Sequence, residues 1–187
     1  AYKQSNLSED LVKREISGVA KSLRQTYLAT EGNEKFVMKG DNLYKGNTML
    51  SGNYKLVDQL KDEQDVEVSL FFGDVREVTT LKDESGKREI NTKMSSEVYD
   101  TLKKGEEYFA TNVDVLGTDY YGYYVPVYQP GTKEFAGSVF CGRTQTQVTQ
   151  SLRNTVISMA AVMLVIFLAA FIIVLFMVKR IVKSIDG

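Results

Sequence analysis

Leu7, Leu11, Val12, Ile16, Val19, Leu23 and Tyr27 recur at three- and four-residue steps, with Lys13, Arg14, Glu15, Lys21 and Arg24 between them. That pattern predicts an amphipathic helix of about six turns. Gly32 and Asn33 tolerate the left-handed conformation and end it. Residues 40–52 read as a loop, followed by a short helix with Tyr54, Val57 and Leu60 on one face. From Val66 the period falls to two. Strands are expected at 66–72 and 76–81 around the Gly73-Asp74 turn, with a brief resumption at 88–90. Ser95 or Ser96 caps a second short helix that runs to Lys104, with Glu97 in its first turn. Strands at 108–115, 119–128 and 135–142 then follow one another as an antiparallel meander. The expected domain is α+β, with about five antiparallel strands and helices on at least one face.

Residues 156–178 break every amphipathic rule, because Ser158 is their single polar member and none is charged. Twenty-three residues rise about 34 Å as a helix, enough to cross a hydrocarbon core of about 30 Å. The polar stretch 144–154 is expected to be helical and to run straight into this span. Lys179, Arg180 and Lys183 crowd its C-terminal side, whereas Arg153 stands alone near the other. The positive-inside rule places the C-terminus in the cytoplasm and residues 1–154 outside. Three parts follow: an extracytoplasmic domain (1–154), a transmembrane helix (155–178) and a cytoplasmic stub (179–187). An exported domain needs a signal, yet Ala1 opens directly into polar sequence. A signal or first transmembrane helix is therefore expected before Ala1, and a cytoplasmic portion after Gly187. The long first helix suits a continuation of such a preceding span.

The 187 residues include 23 Lys+Arg, 24 Asp+Glu, one Cys, two Pro, and neither His nor Trp. Without histidine there is no Ser-His-Asp or Cys-His arrangement and no imidazole proton shuttle. One cysteine makes neither an internal disulfide nor a CxxC site, and Cys141 reads as a small buried strand residue. Near-neutral charge argues against nucleic acid as a partner. Asp74, Glu77, Glu106 and Glu107 stand in no catalytic motif, so binding is expected here, without enzyme activity, cofactor or metal; the catalytic alternative is a membrane-anchored enzyme working through two carboxylates or a Ser-Lys pair. Adhesion to a protein through exposed tyrosines is the other non-catalytic reading.

The strand at 119–128 alternates Tyr121, Tyr123, Val125 and Val127 with Tyr120, Gly122, Tyr124 and Pro126. The first set suits packing against the long helix. The second offers two phenols flanking a glycine that leaves space, and is assigned to a pocket face. A slip of one residue would exchange the two faces.

The runs FFGDVREVTT, INTKMSSEVYDTL and DYYGYYVPV…GSVFCG, in this order across more than 100 residues, resemble the single Cache sensor domains of bacterial methyl-accepting chemotaxis proteins. The resemblance implies a PAS-like five-stranded antiparallel sheet on a long N-terminal helix. It also implies a small-molecule pocket on the opposite face, a homodimer across the long helices, and signalling through a second membrane helix. The tail MVKRIVKSI is similar to the start of a HAMP linker, with Ser184 where many have proline. Histidine kinases and cyclases share Cache domains and are the alternative outputs. By resemblance to citrate-sensing members, Arg76 is expected to bind a ligand carboxylate through its planar fork, and Thr79 or Thr80 to add a hydroxyl. Lys93 is expected at the pocket mouth. The arginine-tryptophan-tyrosine constellation of amino-acid-binding double-Cache members has no counterpart here, so a small organic acid is the expected ligand.

Overall fold

The computed structural model describes residues 2–185, and the side chains of residues 8–151 and 153–180. It divides into two compact units, 1–145 and 146–187.

In the first unit, helix α1 (Tyr2–Ala29) lies against a sheet and buries Val12, Ile16, Val19, Ala20, Leu23 and Tyr27. Each fully buried aliphatic contributes about 1.5–3 kcal/mol, which is why the 3.6-residue spacing decides the docked face. Leu11, expected in that stripe, is 52% exposed; it sits one residue, or about 100°, from Val12. The Leu7 side chain lies outside the described residues. Past the end of α1 the carbonyls of Thr30 and Gly32 accept from the ammonium of the fully buried Lys45.

Residues 40–52, expected as loop, instead build most of a small antiparallel sheet of β1 (Phe36–Lys39), β2 (Asn42–Lys45) and β3 (Thr48–Met49). Its turns are two-residue hairpins, Gly40-Asp41 and Gly46-Asn47, in which Gly40 has φ 61° and Gly46 φ 58°. Such Gly-Asp and Gly-Asn pairs are hairpin signals in the sequence, obscured by the shortness of the strands. The Gln129 side-chain amide both donates to the Phe36 carbonyl and accepts from its N–H at 2.8 Å, so it docks β1 as a strand would.

Helix α2 (Lys55–Gln64) leads to the main sheet. This comprises β4 (Glu67–Phe72), β5 (Val75–Thr79), β6 (Tyr108–Val115), β7 (Thr118–Tyr128) and β8 (Phe135–Thr144), with α3 (Ser96–Lys103) between β5 and β6. The antiparallel order is β5-β4-β8-β7-β6. The meander 6-7-8 and the hairpin 4-5 thus join through β4 and β8, the α+β arrangement the sequence predicts. Ser95 caps α3 by accepting from the Val98 N–H. Helix α1 packs on β7 and β8, and α3 packs on β6 and β7.

The second unit is helical. Helix α4 runs Gln145–Ile185 without interruption, and its apolar side chains between Val156 and Val178 are exposed. Among the described residues it is the one helix long and apolar enough to cross a membrane.

Candidate functional site

The β4–β5 pairing contains one irregularity. Phe71 pairs with Arg76 but Leu70 pairs with Val78, which leaves Glu77 as an extra residue. Strict alternation would put Arg76 and Thr79 on opposite faces; the bulge turns both to the face of Phe71. Arg76 is 8% exposed, its guanidinium stacked 5.0 Å from the centre of the Phe71 ring. One terminal nitrogen donates to the Thr92 hydroxyl at 2.7 Å. Its Nε is buried without a partner. Among the described residues no carboxylate lies within ion-pair distance of it. Burial pushes its pKa down from the usual arginine range, with nearby Tyr124 and Glu89 opposing.

This guanidinium borders a cavity of about 340 Å³ between α3 and the outer strands, at the small end of the range of about 300–1,000 Å³ usual for small-molecule sites. Its inner wall comprises Met94, Val98, Tyr108, Val113 and Tyr124. The rings of Tyr108 and Tyr124 meet edge to face at 6.3 Å. Burial pushes the Tyr124 phenol up to about 12, against the pull of Arg76, so it is a protonated donor at neutral pH. Lys93, Glu97, Asn112 and Asp114 also border it and are exposed, but Asp114 pairs with Asp119 and so turns its side chain to the face of Tyr123, away from the cavity. Lys93 is committed to Asp74 at 2.9 Å. Glu97 accepts from the Tyr108 hydroxyl at 3.1 Å, and Asp114 from the Gly117 N–H at 2.8 Å.

Of the residues the sequence singles out, the structure brings Arg76, Lys93 and Tyr124 to this one cavity. The others stand outside its lining. Thr79 shares the face of Arg76 but is fully buried, its hydroxyl paired with that of Ser69 and accepting from the Leu81 N–H. Thr80 donates to Glu67 and accepts from the Val68 N–H. Tyr120 belongs to the hydrophobic cluster with Phe140 and Leu102.

Gly122 corrects the sequence reading. A Cβ there would come within 2.8 Å of both Phe140 and Val113, so the space it leaves is already filled by protein. Gly122 faces Gly142 across the strands, and the Phe140 ring covers both glycines. The arrangement covers backbone that two side chains would otherwise shield. Of the four residues assigned to a pocket face, Tyr124 alone lines the cavity, while on the other face the Tyr123 hydroxyl donates to Glu107, which Lys21 of α1 also reaches at 3.0 Å.

Sequence reasoning missed Thr92, Tyr108 and Asn112 as site residues, and saw Glu97 only as a first-turn acid of α3. A register shift between Ala110 and Val113 re-aims β6 where two of them lie, and period-two reading carries no signal for it.

A profile of the family described as Single cache domain 3 matches residues 47–155. The crystal structure of the E. coli DcuS sensor domain is similar in fold, with a TM-score of 0.53 and 16% identity, covering 79% of this chain and 98% of that one. No curated protein sequence matches the chain. The profile spans more than half of the chain, takes in the bulged hairpin, α3 and the whole meander, and leaves one conclusion: this protein belongs to the single Cache domain 3 family and carries a small-molecule sensor domain.

Proposed function

We propose that this chain is the ligand-binding and membrane-crossing part of a chemotaxis receptor whose sensor domain binds a small carboxylate outside the cell. The observation that carries the ligand class is Arg76. A guanidinium that is almost wholly buried, stacked on Phe71 and unpartnered at Nε has lost water without gaining a carboxylate. Such a group is costly alone and receptive to a planar anion that can satisfy two of its N–H groups at once. The role proposed for the cavity is binding. The experiment is a thermal melt of the full chain in detergent micelles, titrated with small mono- and dicarboxylates. The melting temperature should rise with ligand in wild type and stay flat in Arg76→Met. Equal rises in both proteins would sink the assignment.

The topology proposed is an outer N-terminal domain and a cytoplasmic C-terminus, supported by Lys179, Arg180 and Lys183 beyond the apolar span. Signal would pass by direct chain continuity, because β8 ends at Thr144 and α4 begins at the next residue. The single native thiol, Cys141, is buried. A cysteine at the exposed Ser85 should therefore react with a membrane-impermeant maleimide in intact cells; reaction only after permeabilisation would invert the topology. The chemotaxis output rests on the sequence resemblance. Fused to the cytoplasmic part of a characterised chemoreceptor, residues 1–187 should make swimming reversals respond to the bound carboxylate. Dimerisation along α1 is part of the same proposal, and the exposed Leu11 suits it. A Leu11→Cys variant should cross-link in membranes.

A further inference from the structure

The polar groups of the cavity divide into those that another side chain holds and those that none does. Lys93 is held by Asp74 at 2.9 Å, and the Tyr108 hydroxyl donates to Glu97 at 3.1 Å. Arg76 Nη1 donates to the Thr92 hydroxyl at 2.7 Å, and that hydroxyl donates onward to the Glu89 carbonyl at 3.2 Å. Thr92 is itself fixed by backbone pairing: the Arg76 N–H donates to its carbonyl, and the Asn91 N–H to that of Arg76, both at 2.8 Å. With Nη1 taken, the edge of the guanidinium left without a protein partner is Nε with Nη2, whose N–H bonds run parallel. The Tyr124 hydroxyl likewise has no hydrogen-bond partner among the described residues. Both side chains border the cavity and lie against the Phe71 ring, the guanidinium at 5.0 Å and the Tyr124 ring at 6.3 Å. They are close enough that each opposes the effect of burial on the other.

We propose that the ligand is a monocarboxylate with a short apolar tail, its carboxylate side-on against Nε and Nη2 of Arg76 and accepting from the Tyr124 hydroxyl. Thr92 is the positioning residue that turns this edge of Arg76 to the ligand. The inference rests on the carboxylate reading of Arg76 and goes beyond it by naming the donors and the chemistry of the rest of the molecule. Two carboxylate oxygens offer about four acceptor positions, enough for three donors. The tail meets Met94, Val98 and Val113, which are apolar, and gains with each methylene buried. A second carboxylate finds no free cation there. Lys93 is engaged with Asp74, Glu97 carries like charge, and the apolar wall would strip its water without returning a hydrogen bond.

The test is calorimetry on the full chain in detergent micelles with acetate, propionate, butyrate and pentanoate, and with succinate, which replaces the butyrate methyl by a carboxylate. Affinity should rise about fourfold per added methylene until the cavity is filled. Butyrate should bind about tenfold or more tighter than succinate. Tyr124→Phe should weaken butyrate about tenfold while the ligand-free protein melts as wild type does, since the hydroxyl removed has no protein partner. Thr92→Val should weaken butyrate by a similar factor, and Thr92→Ser, which keeps the hydroxyl, should restore it. If binding depends on Arg76 but succinate equals or exceeds butyrate, or chain length has no effect, the apolar-tail proposal fails and the carboxylate reading survives. Unchanged butyrate binding in Tyr124→Phe would overturn the assignment of that donor. Equal losses in both Thr92 variants, or a loss in neither, would overturn the positioning role. If neither butyrate nor succinate binds through Arg76, the carboxylate reading fails as well.

Discussion

Against α1 the main sheet meets its charges with charges, whereas under α3 it leaves a guanidinium facing a cavity. On the α1 side Glu107 gathers the Tyr123 hydroxyl and the Lys21 ammonium. Burial pushes the Glu107 carboxyl up, but these hydrogen bonds and the charges of Lys21 and Arg24 outweigh it and hold its pKa below the usual range. Arg143, at the end of β8, bonds Glu15 of α1 at 2.7 Å and the carbonyls of Gln64 and Asp65 behind α2. Unpaired atoms occur here too: the Tyr27 hydroxyl and Arg24 Nε are buried without partners. Arg24, however, has Glu107 close by and donates to the Pro126 carbonyl. Arg76 has a neutral hydroxyl and an aromatic ring. The difference separates what holds a sensor domain together from what waits for a ligand.

The sharpest challenge to that division is a pair of truncations. Ile16→Ala, on the fully buried α1 face, should cost about 3–4 kcal/mol in urea unfolding, since its neighbours cannot collapse into the hole. Met94→Ala, on the cavity wall, should cost nearer 2 kcal/mol, because the volume it vacates adjoins an existing cavity. Equal costs would mean that the α3 side is packed as tightly as the α1 side. Gly122→Ala should cost about 2 kcal/mol by driving Phe140 and Val113 off their present positions. A neutral outcome there would show that the space is available to a ligand after all.

Arg76→Met comes next. Replacing an uncompensated buried cation by an apolar side chain of similar length should leave stability unchanged or raise it by about 1 kcal/mol, while carboxylate binding is lost. A large loss of stability would make Arg76 a structural residue. The smallest effect is expected at Glu77, the bulge residue, which is 7% exposed and accepts from Ser51 at 3.3 Å. Burial raises its carboxyl pKa, with the Ser51 hydrogen bond opposing. The folded state then binds more protons than the unfolded one between the two pKa values. The Glu77 contribution to stability therefore falls as pH rises through that window and stays lost above it. Glu77→Gln should raise the melting temperature slightly at pH 7 and flatten its rise toward acid; a drop at pH 7 would reverse the sign.

Much of this fold is written in short-range pattern. The buried stripe of α1, the Ser95 cap and the strands of the meander follow from spacing and capping chemistry alone. The small sheet of residues 36–49 was present as Gly-Asp and Gly-Asn signals but had strands too short to show a period. For the site, the sequence supplied Arg76, Lys93 and the Tyr124 face of β7. Thr79, Thr80 and Tyr120 satisfy their neighbours instead, and nothing in their local sequence distinguishes a hydroxyl turned to a ligand from one turned to a strand.

The sequence by itself determined the elements and the apolar span, because helix and strand periodicities and a run of 23 uncharged residues are local properties. It also determined which functions lack the residues they need. Tertiary structure alone decided that a bulge at Glu77 puts Arg76 and Thr79 on one face, that Phe140 fills the gap over Gly122, and that Arg76, Lys93, Glu97 and Tyr124 line one cavity. Each depends on register between strands or on a helix laid over distant strands. Those are long-range contacts, and no period in the chain encodes them.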